Sequence, residues 1–142
     1  MNFTKQYTDL CKNDKVQGLR KIYTDERNIK WTVLEFGDYV QTPEGIEIIA
    51  DGEASPDYRS YRNDECIWLP QEHDLDREIE KTLSKMSKNG EDLSYNLGVS
   101  FSDGQMSVWQ ITVEDRDYVH EEMDINPLIA KLKLLISILE EE

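Results

Sequence analysis

The stretch Cys66-Ile67-Trp68-Leu69-Pro70, the segment from Gln71 to Met86, the break Asn89-Gly90 and the segment from Leu93 to Phe101 together decide the fold class. Cys66 to Leu69 is a short continuous apolar run, the pattern of a strand buried on both faces. Pro70 ends it, since proline has no N–H for a ladder and suits the first turn of a helix. Leu75, Ile79, Leu83 and Met86 then recur at helical spacing with charged residues between them, which predicts an amphipathic helix over 71–87. Asn89-Gly90 is its expected end, because glycine takes a left-handed cap at little cost. Leu93, Tyr95, Leu97, Val99 and Phe101 alternate with polar residues, the period of a strand with one wet face.

Working toward the C-terminus, Ser102-Asp103-Gly104-Gln105 is a hairpin signal, since Asp-Gly suits a type I′ turn. Met106, Val108, Trp109, Ile111 and Val113 form the return strand, with a change of phase at Val108-Trp109. Residues 114–124 are acidic. Asn126-Pro127 starts the last helix, Asn as cap and Pro at the first helical position. Leu128, Ile129, Leu132, Leu135, Ile136 and Leu139 make its apolar face, and Leu134 and Ile138 lie off it. That helix is therefore covered on two sides within the chain, or it is half of a homo-oligomer interface.

Toward the N-terminus, Phe3, Tyr7, Leu10 and Cys11 sit at helical spacing, and Asn13-Asp14 breaks that helix and caps a second. Val16, Leu19, Ile22 and Tyr23 continue an apolar helical face, with Gly18 as a weak point. Trp31, Val33, Leu34, Phe36, Tyr39 and Val40 read as strand, with a phase change at Val33-Leu34 that predicts a bulge or burial on both faces. Thr42-Pro43-Glu44-Gly45 is a turn and Ile46, Ile48 and Ile49 the return strand, giving a hairpin across residues 30–50. Asp51 to Asn63 reads as a long loop. The expected fold is α+β in a single domain spanning 1–142: an antiparallel or mixed sheet with helices packed on it. An N-terminal part, 1–63, holds helix, hairpin and loop, and a β-α-β-β-α unit covers 64–139.

At 142 residues the chain is long enough for one core, and 38% hydrophobic and 9% aromatic content sets it apart from disordered chains. It has no apolar run long enough for a transmembrane helix and no signal-type N-terminus, so the cytoplasm is the expected compartment. Cys11 and Cys66 are too few for a disulfide scaffold and lack metal-type spacing. Net charge is −14, which disfavours nucleic acid and anionic membrane as direct ligands. Residues 1–33 carry seven basic and four acidic side chains, a net +3, so the remainder carries −17.

No catalytic residue or cofactor is expected. The chain has no nucleophile elbow, no phosphate-binding glycine loop and no Cys–His pairing. His73 beside Glu72, Asp74 and Asp76, and His120 beside Glu121, Glu122 and Asp124, could ligate a cation, which leaves a carboxylate–metal hydrolase as one alternative. Acids at a helix start are also what the helix dipole favours.

Charge is the strongest functional lead. On the helix over 71–87, carboxylates recur at Glu72, Asp76 and Glu80 and again at Asp74 and Glu78. Side chains four apart stack on one face, so these make acidic stripes, at ~0.2–0.5 kcal/mol per like-charged pair. Glu72, Asp74, Asp76 and Glu80, with Asp115, Asp117 and Glu121, are the expected contacts to a protein partner with a basic surface. A solvated face that only keeps the chain dissolved is the competing reading. The other alternative is a small-ligand or nucleotide site on Tyr58, Arg59, Tyr61 and Arg62, where arginine forks hold phosphate and tyrosines stack on bases.

The order Cys66-Ile67-Trp68-Leu69-Pro70, Leu75 and Ile79, Gly98-Val99-Ser100-Phe101-Ser102-Asp103-Gly104, then the helix after Pro127, resembles small phage and prophage proteins. It is similar in particular to the phage ABA sandwich domain family, over about residues 64–139, slightly more than half the chain. The resemblance implies an α–β sandwich and a phage setting, hence a host-cell cytoplasm, and supplies no catalytic residues. Joined to the charge, it points to an anti-defence inhibitor, anti-CRISPR-like, that mimics nucleic acid and blocks a basic surface of a host nuclease.

Overall fold

A computed structural model describes residues 3–49, 60–86, 93–102, 105–113 and 126–141, with 93–102 and 105–113 as backbone. The fold is α+β, and the chain divides into two compact units, residues 1–71 and 72–142. The hairpin turn at 103–104, the cap at Asn89-Gly90 and the acidic segment 114–124 lie outside the described residues.

The first unit opens with α1 (Lys5–Cys11), capped by Thr4, whose hydroxyl oxygen accepts the Tyr7 N–H at 3.1 Å. Asn13 caps α2 (Asp14–Gln17) by accepting from the N–H groups of Lys15 and Val16. Four residues cannot sustain a helix alone. Buried Val16 anchors this one, together with Gln17, whose side-chain amide takes the place of a strand. Its Nε2 donates to the carbonyls of Cys11 and Trp68, at 2.6 and 3.0 Å, and its Oε1 accepts the Trp68 N–H at 2.8 Å.

Six short strands follow: β1 (Lys21–Thr24), β2 (Lys30–Val33), β3 (Tyr39–Thr42), β4 (Gly45–Ile48), β5 (Ser60–Arg62) and β6 (Ile67–Leu69). They form two antiparallel sheets, ordered β1-β2-β5 and β4-β3-β6. The helical face expected through Leu19, Ile22 and Tyr23 is absent. α2 stops before Gly18, and Ile22 and Tyr23 lie exposed on β1, opposite Thr32 and Trp31. The β3–β4 hairpin closes as expected, Thr42 facing Gly45 across Pro43-Glu44, with Gly45 at φ +130°. The phase change at Val33-Leu34 is neither a bulge nor a doubly buried strand. There the chain leaves one sheet for the other, turning at Gly37 with φ +88°. The expected loop 51–63 ends in strand β5, and β6, expected to open the 64–139 unit, pairs with β3 of the first unit.

Between α2 and β3 sits an ion pair. Arg20 Nη2 lies 3.1 Å from Asp38 Oδ1, both side chains are 6% exposed, and the guanidinium stacks 3.9 Å above the Trp68 ring. Asp38 also accepts the Glu35 N–H at 2.8 Å. Tyr7, Val40 and Leu69 are buried in the same unit, and the Tyr7 hydroxyl donates to the Pro70 carbonyl.

The second unit holds α3 (Glu72–Met86), β7 (Leu93–Ser102), β8 (Gln105–Val113) and α4 (Pro127–Glu141). Leu75, Ile79 and Leu83 are buried, as their spacing predicts, each worth ~1.5–3 kcal/mol of transfer free energy. β7 and β8 pair antiparallel with a bulge. Leu97 faces Trp109 and Ser100 faces Ser107, so Gly98 and Val99 oppose Val108 alone, at the phase change seen in the sequence. Asn126 Oδ1 accepts the Leu128 N–H at 2.9 Å and caps α4. α4 packs against α3 and β8, and Leu134 and Ile138 are fully buried along with Leu132 and Leu135. The two-sided apolar character of α4 is thus met within the chain.

Candidate functional site

The α3 carboxylates differ sharply from one another. Lys131 on α4 is buried, and its ammonium lies 2.7 Å from Glu72 and 2.9 Å from Asp76. Burial pushes the Lys131 pKa down, but the hydrogen bonds its ammonium donates to Glu72 and Asp76 outweigh it, so the net shift is upward. Asp74 is buried and pairs with Arg77 at 2.9 Å, with His73 3.5 Å away. Glu78 is also buried, beside Arg77 and Lys81. Glu80 is exposed. Of the four partner contacts expected on this helix, two hold α4 and one is tied to its own turn. Asp115, Asp117, Glu121 and His120 lie outside the described residues.

A second anionic region stands out in the first unit. Beside the β3–β4 hairpin and β5 lies a cleft of about 310 Å³, walled by Glu44, Glu47 and Glu65 with Thr42, Pro43, Tyr61 and Arg62. Tyr61 faces Thr32 in the β5–β2 register, and its hydroxyl donates to Glu47 Oε2 at 3.2 Å. Burial raises the Tyr61 pKa and the adjacent Glu47 carboxylate adds to it, so the phenol stays a donor. Arg62, opposite Trp31, is the one cation among the described residues of the cleft, and its Nε lies 3.4 Å from Asp64. The residue also borders a neighbouring cleft of about 260 Å³ with Lys30 and Asn63.

Of the expected nucleotide site, Tyr61 and Arg62 come together here, whereas Tyr58 and Arg59 lie outside the described residues. Among the described residues, three carboxylates against one arginine repel phosphate and favour a cation. Neither cysteine is a nucleophile at neutral pH. Burial pushes the Cys11 thiol up to about 12 and raises that of Cys66 as well. Among the described residues no cluster of histidine, cysteine and carboxylate side chains could hold a metal ion, and no helix is long and apolar enough to cross a membrane.

Glu44, Glu47 and Glu65 are not among the partner contacts that the sequence predicts. The available signal was an excess of acids around the turn Thr42–Gly45, but the approach of residue 61 to residue 47 depends on sheet pairing. Comparison with family models, with curated proteins and with solved structures gave no match.

Proposed function

We propose that this protein is a non-catalytic interaction module whose anionic surface docks on a basic surface of a protein partner, of the kind that otherwise binds nucleic acid. One observation carries the reading. After Glu72, Asp76 and Asp74 are committed to Lys131 and Arg77, Glu44, Glu47 and Glu65 still gather around one open cleft with a single arginine among the described residues. A net charge of −14 strengthens the field and speeds encounter with a cationic partner. Inhibition of a nucleic-acid-binding host protein follows if such a surface competes with phosphates for the same groove.

The test immobilises the chain and challenges it with the heparin-binding fraction of a cell lysate. A captured protein is expected to elute with rising salt and to be displaced by double-stranded DNA. The variant Glu44→Lys/Glu47→Lys/Glu65→Lys is expected to lose it. Capture that survives charge reversal, or resists roughly molar salt, where the Debye length is only ~3 Å, overturns the reading.

A further inference from the structure

β4 is an edge strand whose four residues are all exposed. Ile46 is 46% and Ile48 53% exposed, unusual for isoleucines in a strand. The register shows which of its backbone groups are open. Ile49 donates to the Asp38 carbonyl at 2.8 Å, so Asp38–Ile49 is a hydrogen-bonded pair. Antiparallel pairs alternate, which makes Val40–Glu47 and Thr42–Gly45 the other hydrogen-bonded pairs. Tyr39–Ile48 and Gln41–Ile46 are the pairs between them. The N–H and C=O groups of Ile46 and Ile48 therefore point away from β3. Among the described residues no strand takes them up.

The two faces of this edge differ in chemistry. Ile46 and Ile48 share a face, with Glu47 on the other, beside Glu44 and Glu65 of the cleft. A strand laid along the edge, in either direction, would set apolar residues beside the isoleucines. A residue of opposite orientation would stand beside Glu47. Charge complementarity makes that residue a lysine or an arginine.

We propose that β4 docks an extended segment of the partner in which a basic residue stands between two apolar ones, by strand addition. This rests on the anionic-surface reading above and names how the partner is held. A second copy of the chain is the poorer occupant. Two-fold pairing through Ile46 and Ile48 sets Glu47 directly against Glu47 of the copy, like charges at the closest cross-strand distance, on bodies that each carry −14.

The experiment measures fluorescence anisotropy of labelled short peptides with the full chain at low and high salt. One peptide alternates valine and lysine, and a second holds the same residues in two blocks. A third is the alternating peptide with N-methylated backbone amides along one edge, and a fourth alternates valine and glutamine. The alternating valine–lysine peptide is expected to bind about tenfold or more tightly than the block or N-methylated peptides, a difference of the size of one or two hydrogen bonds. Glu47→Lys is expected to flatten the salt dependence, and Ile48→Pro, which removes one outward N–H, to lower affinity. Because N-methylation alters only the peptide, the result stands even if Ile48→Pro misfolds. Equal binding of alternating, block and N-methylated peptides overturns strand addition and leaves the anionic reading intact. Equal, salt-insensitive binding of the valine–glutamine peptide overturns the anionic reading and leaves the edge intact. Binding of none overturns both, and concentration-dependent dimerisation that competes with peptide assigns the edge to a second copy and overturns the proposal.

Discussion

Arg20 in the first unit and Lys131 in the second are equally buried cations, 7% and 6% exposed, but they are satisfied in different ways. Arg20 faces Asp38, whose side chain is itself only 6% exposed, and stacks on buried Trp68. A third contact, Glu35, is 4.0 Å away at the solvent side. Lys131 faces two carboxylates whose side chains reach water, Glu72 63% and Asp76 40% exposed, although the Asp76 oxygen that meets the ammonium is buried. The first is a pair sealed from water, and the second is a cation reaching outward to a wet rim. Burial of the cation alone says little about what the pair contributes; the exposure of its partner decides it. The choice of side chain agrees. A planar guanidinium suits a stack and a fork, whereas a compact ammonium suits two carboxylates at one helical turn's spacing.

The largest test of this contrast is Asp38→Ala. It leaves Arg20 charged in a dry site and removes the acceptor for the Glu35 N–H, so a loss of ~3–5 kcal/mol is expected in urea unfolding. A loss below ~1 kcal/mol would show that Trp68 and Glu35 suffice and that the pair is not sealed.

Lys131→Met comes next. The carboxylates left behind can hydrate, so ~1 kcal/mol or less is expected near neutral pH. The pH dependence has a definite sign. Burial lowers the Lys131 pKa, the bonds it donates to Glu72 and Asp76 raise it further than burial lowers it, and the folded value lies above the ordinary 10.5. The pair's stabilisation is thus present in full below that ordinary value and is lost as pH rises through the folded one. The melting-point gap between the unaltered chain and Lys131→Met should hold steady near neutrality and shrink above about pH 10.5. A gap that widens with alkali contradicts the assignment.

The smallest effects belong to Glu72→Gln and Asp76→Asn. Each leaves the other carboxylate on Lys131, so each should change stability by only a few tenths of a kcal/mol. The double variant should exceed their sum, because only it leaves the ammonium without an anion. Strict additivity in that double-mutant cycle would mean that Lys131 uses one partner and that the two-carboxylate rim is not a unit.

What was legible in the sequence is what neighbouring residues decide among themselves. Asn13 and Asn126 cap helices because a side-chain oxygen can reach N–H groups two or three residues on. The 3.6-residue recurrence of Leu75, Ile79 and Leu83 marked the buried face of α3. Even the bulge in β7 left a trace, on the partner strand at Val108-Trp109. The candidate site was only half legible. The sequence predicts Tyr61 and Arg62 as half of a nucleotide site with Tyr58 and Arg59, not as strand residues beside three glutamates. β1 and β5, four and three residues long, exist because β2 lies between them, and no local pattern announces such strands. Lys131 in an apolar helix and the spacing of Glu72 and Asp76 were complementary signals. Nothing local said that the two helices meet.

By itself the sequence determined α1, α3 and α4, the β3–β4 hairpin, the β7–β8 pair and the excess of negative charge, since caps, turns, side-chain period and composition act over a few residues. Tertiary structure alone decided which carboxylates remain open. Whether an acid meets a lysine 59 positions away or faces water depends on which helices pack and which strands pair. Those choices come from burying apolar surface across the whole unit, and charge follows where that packing leaves it.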